Sequence, residues 1–459
     1  MIKLCKLNQD NVIRQITNGH FDNVAISESN LADDIILSMY KNDILSCISK
    51  ALQDKRRCNS SLPFDLILSL SIAAKMKIKT SLSDIPYAIQ DHRVLAALGY
   101  NIIDTEGNLK EALMRESSLR RLLGKYSSDE LFLAYNNTVQ NFIMPKISAR
   151  PTIHILDCTD LEVNLKNKNY EGSEVTKNKH GDVARGYKLG TIRGIVKDTG
   201  IIEEICFGSL KTHDLTLTKD MIMNSKVFKN GDILINDRGF LDRELINYMK
   251  NERGVDTYVP LKTNMQAYDM AVTVAQTENK WERHPTRSNQ KICFITDLGA
   301  YWRSNNPKKD VDINAAVVWD EEDDNYFVFA TTDTNKTARQ IIKTYELRPE
   351  IEEDYRQLKD FWLLDDFKST KLNMVAFHVI TVLFGYLFFQ IYTMLPDGEQ
   401  YSHKCLPVIL KNYHPNTMPR LIFYVENEFG IFSITEFADL YSRCSNEVQK
   451  RLDAIFNTT

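Results

Sequence analysis

Twice in this chain a short, apolar, β-branched run stops on an aspartate: "TIHIL" before Asp157 and "ILIN" before Asp237. Runs of this kind read as buried strands, so the middle of the chain points to an α/β core with Asp157 at or just beyond one strand end and Asp237 closing the other. Between them, "GYKLGTIRGIVKD", Gly200 and "IIEEICFGSL" read as a hairpin of two further strands. After Asp237, Arg238 and Gly239 lead into the helical pattern "DRELINYMKNERG".

The texture differs on either side. Residues 1–148 show helical periods broken by turn signals, which predicts a mainly helical N-terminal region and a candidate for DNA binding. From "DTYVPLK" onward, strand-like pieces such as "KICFIT", "INAAVVW" and "YFVFATT" alternate with polar turns, a β-rich insertion at about 257–332. Residues 396–459 read as a helical C-terminal region and a candidate for dimerisation.

Composition narrows the class. With 459 residues, 43% of them hydrophobic, the chain can bury two or three cores. Its eight cysteines form no C-x-x-C pair, which argues against a zinc site or a disulfide framework. The opening residues lack a secretory pattern, so the expectation is a cytoplasmic protein, nucleoid-associated when bound to DNA. The apolar run at 375–394 approaches a membrane span in length, but His378, Thr381, Gly385, Gln390 and Thr393 interrupt it. It is read as a buried core helix, with no membrane partner.

A net charge of −4 does not advertise nucleic-acid binding, yet residues 163–197 carry eight Lys and Arg against three acids. Of these, Arg185 and Lys188 are the preferred DNA contacts, with Lys179 and Arg193 contributing to the excess. His154 and His378 lie inside apolar runs and are read as satisfied core histidines.

The segment "YELRPEIEEDYRQLK" at 345–359 supplies a third acid. On one continuous helix, capped at Thr334 or Asn335 and running to about Phe361, Tyr345, Arg348, Glu352 and Lys359 would share an arc of about 60°. Pro349 marks a point where that helix kinks or restarts. Three carboxylates gathered from Asp157, Asp237 and Glu352 repel one another unless a divalent cation joins them, and hard oxygen ligands suit Mg²⁺ or Mn²⁺. Two such ions about 3.5–4 Å apart serve in-line phosphoryl transfer. Arg348, Lys359 and Arg238 are then candidates to hold phosphates, and Tyr345 to bond a phosphate or stack on a base. Asp160 and Asp232 are alternatives to Asp157 and Asp237, less well placed on the strands.

The spacing Tyr-x2-Arg-x3-Glu-x6-Lys resembles the signature of one subgroup of insertion-sequence DDE transposases. "DCT" at 157–159 and "NDRGF" at 236–240 look like that family's two aspartate motifs, and "YEGSEVTKNKHGDVARGYKLGTIRGI" is similar to the stretch linking them. The likeness covers roughly residues 150–395. It implies a ribonuclease-H-like catalytic domain at 149–395 with a β-strand insertion, and Asp157, Asp237 and Glu352 as catalytic ligands of two Mg²⁺ or Mn²⁺ ions. It further implies double-stranded DNA as partner, both element ends and target, and a homodimer in a synaptic complex. Subgroup members hold a flipped base with an aromatic residue of the insertion; Trp281, Trp302 and Trp319 lie there, and each is read first as a core residue. A metal-dependent nuclease that cuts without joining, and a DNA-binding descendant without catalysis, stay open as alternatives.

Overall fold

The computed structural model describes residues 6–27, 30–56, 62–89, 91–98, 114–147, 149–177, 181–402, 404, 406, 408–409, 419–426 and 428–456. The chain forms two compact units, Met1–Ala134 with Asp360–Thr459, and Tyr135–Lys359.

In the second unit the strand that carries Asp157, Ile153–Val163, lies inside a ten-stranded mixed sheet. On one side it pairs antiparallel with Val183–Val196, which pairs in turn with Thr199–Ser209 and Glu174–Lys177. On the other it runs parallel to Ile233–Asn236, itself parallel to Asp256–Pro260. Helices Asp214–Asn224 and Arg243–Arg253 bring Ile222, Leu245 and Met249 onto Leu156, Ile192 and Leu234 of the sheet. Each such fully buried side chain contributes about 1.5–3 kcal/mol, enough to explain why these short runs carry no polar alternation. This is the mixed α/β, ribonuclease-H-like architecture that the resemblance implies.

The insertion continues the same sheet through Asn325–Thr331, Asn314–Asp320, Gln290–Ile295 and Glu282–Arg283, all antiparallel. It also contains a helix, Gln266–Glu278, where only strands and turns were expected. Ala267, Ala271 and Ala275 recur every fourth residue and are fully buried, so a smooth helical stripe packs on the insertion core beside Trp302 and Val317. A second expectation changes as well. The strand does not end near Asp157, because its antiparallel partner keeps pairing as far as Val163 although the apolar run stops at Leu156.

In the first unit the apolar run is the helix Leu372–Met394, with 94% of its most apolar window buried. It packs on Phe64–Met76 and Leu31–Lys41. Close approach is made possible by Gly385, where a Cβ would lie 2.9 Å from the Trp362 ring. Besides its helices this unit holds a four-stranded sheet, in the order Lys6–Leu7, Glu428–Phe432, Arg420–Val425 and Asn23–Ser27. The sheet and the helices Gln9–Thr17 and Asn446–Phe456 share a core of Val12, Ile16, Phe423 and Leu452, joining the two ends of the sequence. The helical pattern read across residues 101–113, and Lys179, lie outside the described residues.

Candidate active site

Strand register brings the first two acids together. Leu156 and Asn236 are the last partners of the parallel pair, so Asp157 and Asp237 emerge next to each other from strands about 4.8 Å apart. Asp237 then opens the turn Arg238–Phe240. Asp160, three residues along an alternating strand, points to the opposite face and lies 3.9 Å from Lys188. Asp232 is buried and takes hydrogen bonds from Arg150 (2.8 Å) and His154 (3.3 Å).

The third acid arrives differently from the expectation. The single helix is two helices, Ala338–Tyr345 and Pro349–Asp360, and the first is capped by Thr337, not Thr334 or Asn335. Pro349 lacks an N–H and would clash with the carbonyl four residues back, so it starts a new helix rather than continuing the old one. Tyr345 therefore ends one helix, Arg348 occupies the joint, and only Glu352 and Lys359 share a helical face.

The second helix is fixed to the sheet by its buried stripe of Ile351, Asp354, Tyr355 and Leu358. Tyr355 Oη donates to the carbonyl of Asp157 (2.8 Å) and shares a hydrogen bond with the Thr191 hydroxyl (2.6 Å). Arg193 bonds Asp354 through Nε (2.5 Å) and pairs with Glu350 through Nη1 (2.9 Å). Lys359 Nζ donates to the carbonyl of Asp160 (2.6 Å). Tyr355, Arg193 and Asp354 were not singled out as site supports from the sequence. The signal was present: an aspartate on the apolar stripe of a helix demands a buried cation, and Arg193 is that cation.

Arg348 is the centre of the arrangement. Its Nη2 lies 2.9 Å from Asp157 Oδ2 and 3.9 Å from Asp237 Oδ2, while Nη1 pairs with Glu352. Its Nε is buried with no hydrogen-bond partner. One guanidinium thus touches three acids that are 80 and 115 residues apart in sequence. Burial pushes the Asp157 carboxyl up to about 6, with Arg348 opposing and Asp237 and Glu352 adding to the rise. For Arg348 burial disfavours the charge, but the three carboxylates outweigh it and hold the group more firmly cationic than usual. Burial and the neighbouring acids also raise the Tyr345 phenol, whose ring packs on Phe329 at 4.7 Å.

Three acids against one guanidinium leave surplus negative charge, and the Asp237 and Glu352 side chains are 37% and 56% exposed. As a donor set they are hard oxygens of the kind Mg²⁺ and Mn²⁺ take. Among the described residues no three His, Cys, Asp or Glu side chains stand close enough to hold one ion as they are; here Arg348 lies between the carboxylates.

Of the remaining residues, Arg238 is exposed directly beside Asp237. Lys188 is engaged by Asp214 (2.5 Å) and the carbonyl of Thr212 (2.9 Å). Arg185 reaches the carbonyl of Leu165 (3.4 Å) and the Ser173 hydroxyl (3.3 Å). Trp302 is buried, its Nε1 donating to Asn247 (3.2 Å), whereas Trp281 and Trp319 are half-buried with ring centroids 5.4 Å apart. A family model described as a transposase DDE domain matches residues 149–388 of the chain. No curated protein matches it.

Proposed function

The chain belongs to the transposase DDE-domain family, and on that premise we propose that it binds the ends of its own mobile element, cuts the strands and joins the freed 3′-hydroxyls to target DNA. The observation that carries this reading is Arg348, whose guanidinium meets Asp157, Asp237 and Glu352 at once.

Asp157, Asp237 and Glu352 would hold two Mg²⁺ or Mn²⁺ ions, which when bound supply activation of the attacking oxygen and stabilisation of the leaving one. The chain's own groups do the positioning. Arg348 offsets part of the acids' charge in the free protein and, with its unpartnered Nε, has a donor left to turn toward a phosphate. Arg238, exposed beside Asp237, and Lys359, on the same helical face as Glu352 and freed by releasing the Asp160 carbonyl, are the further phosphate holders. Tyr345 presents its phenol as a neutral donor, since its raised pKa keeps the proton on. Arg185 and Lys188 reach DNA only by exchanging the bonds they already make.

Water and a 3′-hydroxyl are alternative nucleophiles for the same displacement, so one site serves cutting and joining. In this reading residues 1–148 recognise the element end and residues 396–459 dimerise in a synaptic complex. A strand-transfer assay on pre-cut ends with Mg²⁺ or Mn²⁺ tests it: joined product is expected. Cleavage without joining reduces the protein to a nuclease, and end binding with no metal-dependent nicking reduces it to a DNA-binding protein.

A further inference from the structure

Away from the acids, the first unit holds a small cavity of about 50 Å³ beside the start of the helix Leu372–Met394. Its wall carries one sign of charge: Lys75, Arg120 and Lys368 line it, and no Asp or Glu does. Ser81 and Ser369 add hydroxyls, while the Thr80 hydroxyl already donates to Asp366 Oδ2 (2.9 Å).

Lys75 is the informative member, at 2% exposure. Its Nζ is met by two backbone carbonyls, of Lys79 at 3.3 Å and Thr80 at 3.0 Å, and among the described residues no carboxylate stands within ion-pair distance. Burying an ammonium without a counter-charge is costly, and an anion in the cavity offsets that cost. Burial already pushes the Lys75 pKa down to about 8, with Asp366 and Asp84 opposing from farther off.

Two further features act in the same direction. The helix meets this wall through Met374 and Val375 close to its N-terminus, which has no side-chain cap, so its dipole adds positive potential. His378, on the same wall, is kept neutral by burial and by the Lys75 charge, and its Nε2 is taken by the Leu363 carbonyl at 3.0 Å. Arg120 and Lys368 do have acidic partners, Glu116 at 2.6 Å and Asp366 at 2.6 Å, but both pairs are exposed, and pairs of that kind are weak.

We propose that this cavity is an anion site that takes one phosphate group. The inference does not depend on the catalytic reading, because it rests on residues of the other unit and is tested without divalent metal. The phosphate has two sources, the backbone of bound DNA or free inorganic phosphate, and the experiment separates them.

Thermal unfolding of the full chain is followed while inorganic phosphate is titrated against chloride at matched ionic strength. Phosphate is expected to raise Tm saturably, and Lys368→Gln and Arg120→Gln are each expected to weaken its binding about tenfold, the loss of one charge-assisted bond. Both side chains sit at the exposed rim, so these variants fold even if Lys75→Met does not. In parallel, binding of a random-sequence duplex is measured against salt. If DNA supplies the phosphate, the salt slope falls by about one in Lys368→Gln. An unchanged slope with phosphate stabilisation intact assigns the site to free phosphate. Stabilisation by phosphate no greater than by chloride, or equal in wild type and both variants, overturns the proposal.

Discussion

Two ionic clusters grow from the same strand three residues apart, and they are built to opposite ends. His154 points to one face and is enclosed: Nδ1 meets Glu203 at 2.7 Å, Nε2 meets Asp232 at 3.3 Å, and Arg150 closes on Asp232 at 2.8 Å. Burial alone opposes a charge on His154, but its bonds to Asp232 and Glu203 raise its pKa to about 9, so two cations balance two acids. Asp157 points to the other face, where three acids share one guanidinium and two of them reach solvent. A cluster whose charges balance, with both acids buried, leaves no net charge to attract a ligand. An unbalanced one at a surface keeps a charge that only a ligand can neutralise, and that difference separates the structural site from the candidate catalytic one.

The largest effect is expected from Glu352→Gln. It removes a charge from the unbalanced cluster at nearly constant shape, so metal-dependent cleavage should fall by ~10²-fold or more while end binding persists. A gel-based nicking assay beside a binding assay checks it, and joint loss of binding and folding would make Glu352 a structural residue like those around His154.

Next comes His154→Leu, which strands Glu203 and Asp232 in the interior with one cation. Breaking a buried ion pair of this kind costs about 3–5 kcal/mol, seen as a lower midpoint in denaturant. The sign of the pH dependence follows from the raised pKa. The stabilisation is fully present below pH 6.5, the ordinary histidine value, and is lost as pH rises through about 9. Wild-type stability should therefore drop across that window, and the drop should be missing from His154→Leu.

Much of this was legible in the sequence, for reasons that differ by residue. The aspartates were readable because a run of buried strand residues has to stop somewhere, and in both cases the polar residue that stops it is the one beside its neighbour in the parallel register. His154 was readable as a core residue from the apolar side chains on both sides. The helix break was only half readable: Pro349 signalled it, but local periodicity could not say that Arg348 would sit in the joint and reach two strands. Tyr355 and Arg193 were hidden because their partners, Thr191 and the Asp157 carbonyl for one, Asp354 for the other, are more than 150 positions away. The small sheet of the first unit was hidden for the same reason, pairing Asn23–Ser27 with Arg420–Val425.

Tyr355→Phe sharpens the comparison at the point where the catalytic cluster is braced. It leaves the Thr191 hydroxyl and the Asp157 carbonyl without their buried partner, at a cost of about 1–3 kcal/mol. Because the bond positions Glu352 rather than touching substrate, kcat should fall with KM little changed, and an unchanged kcat would mean the helix is held by packing alone.

The smallest effect is the most discriminating, since it removes the same residue type from each cluster. Arg348→Ala should lower the salt slope of DNA binding by about one, because its guanidinium is the group assigned to a phosphate. Arg150→Ala removes the partner of a buried carboxylate instead, so it should lower stability and leave the slope alone. Equal slopes in wild type and Arg348→Ala would place Arg348 with Arg150, as a counter-ion to its own protein, and the contrast between the two faces of the strand would then rest on exposure alone.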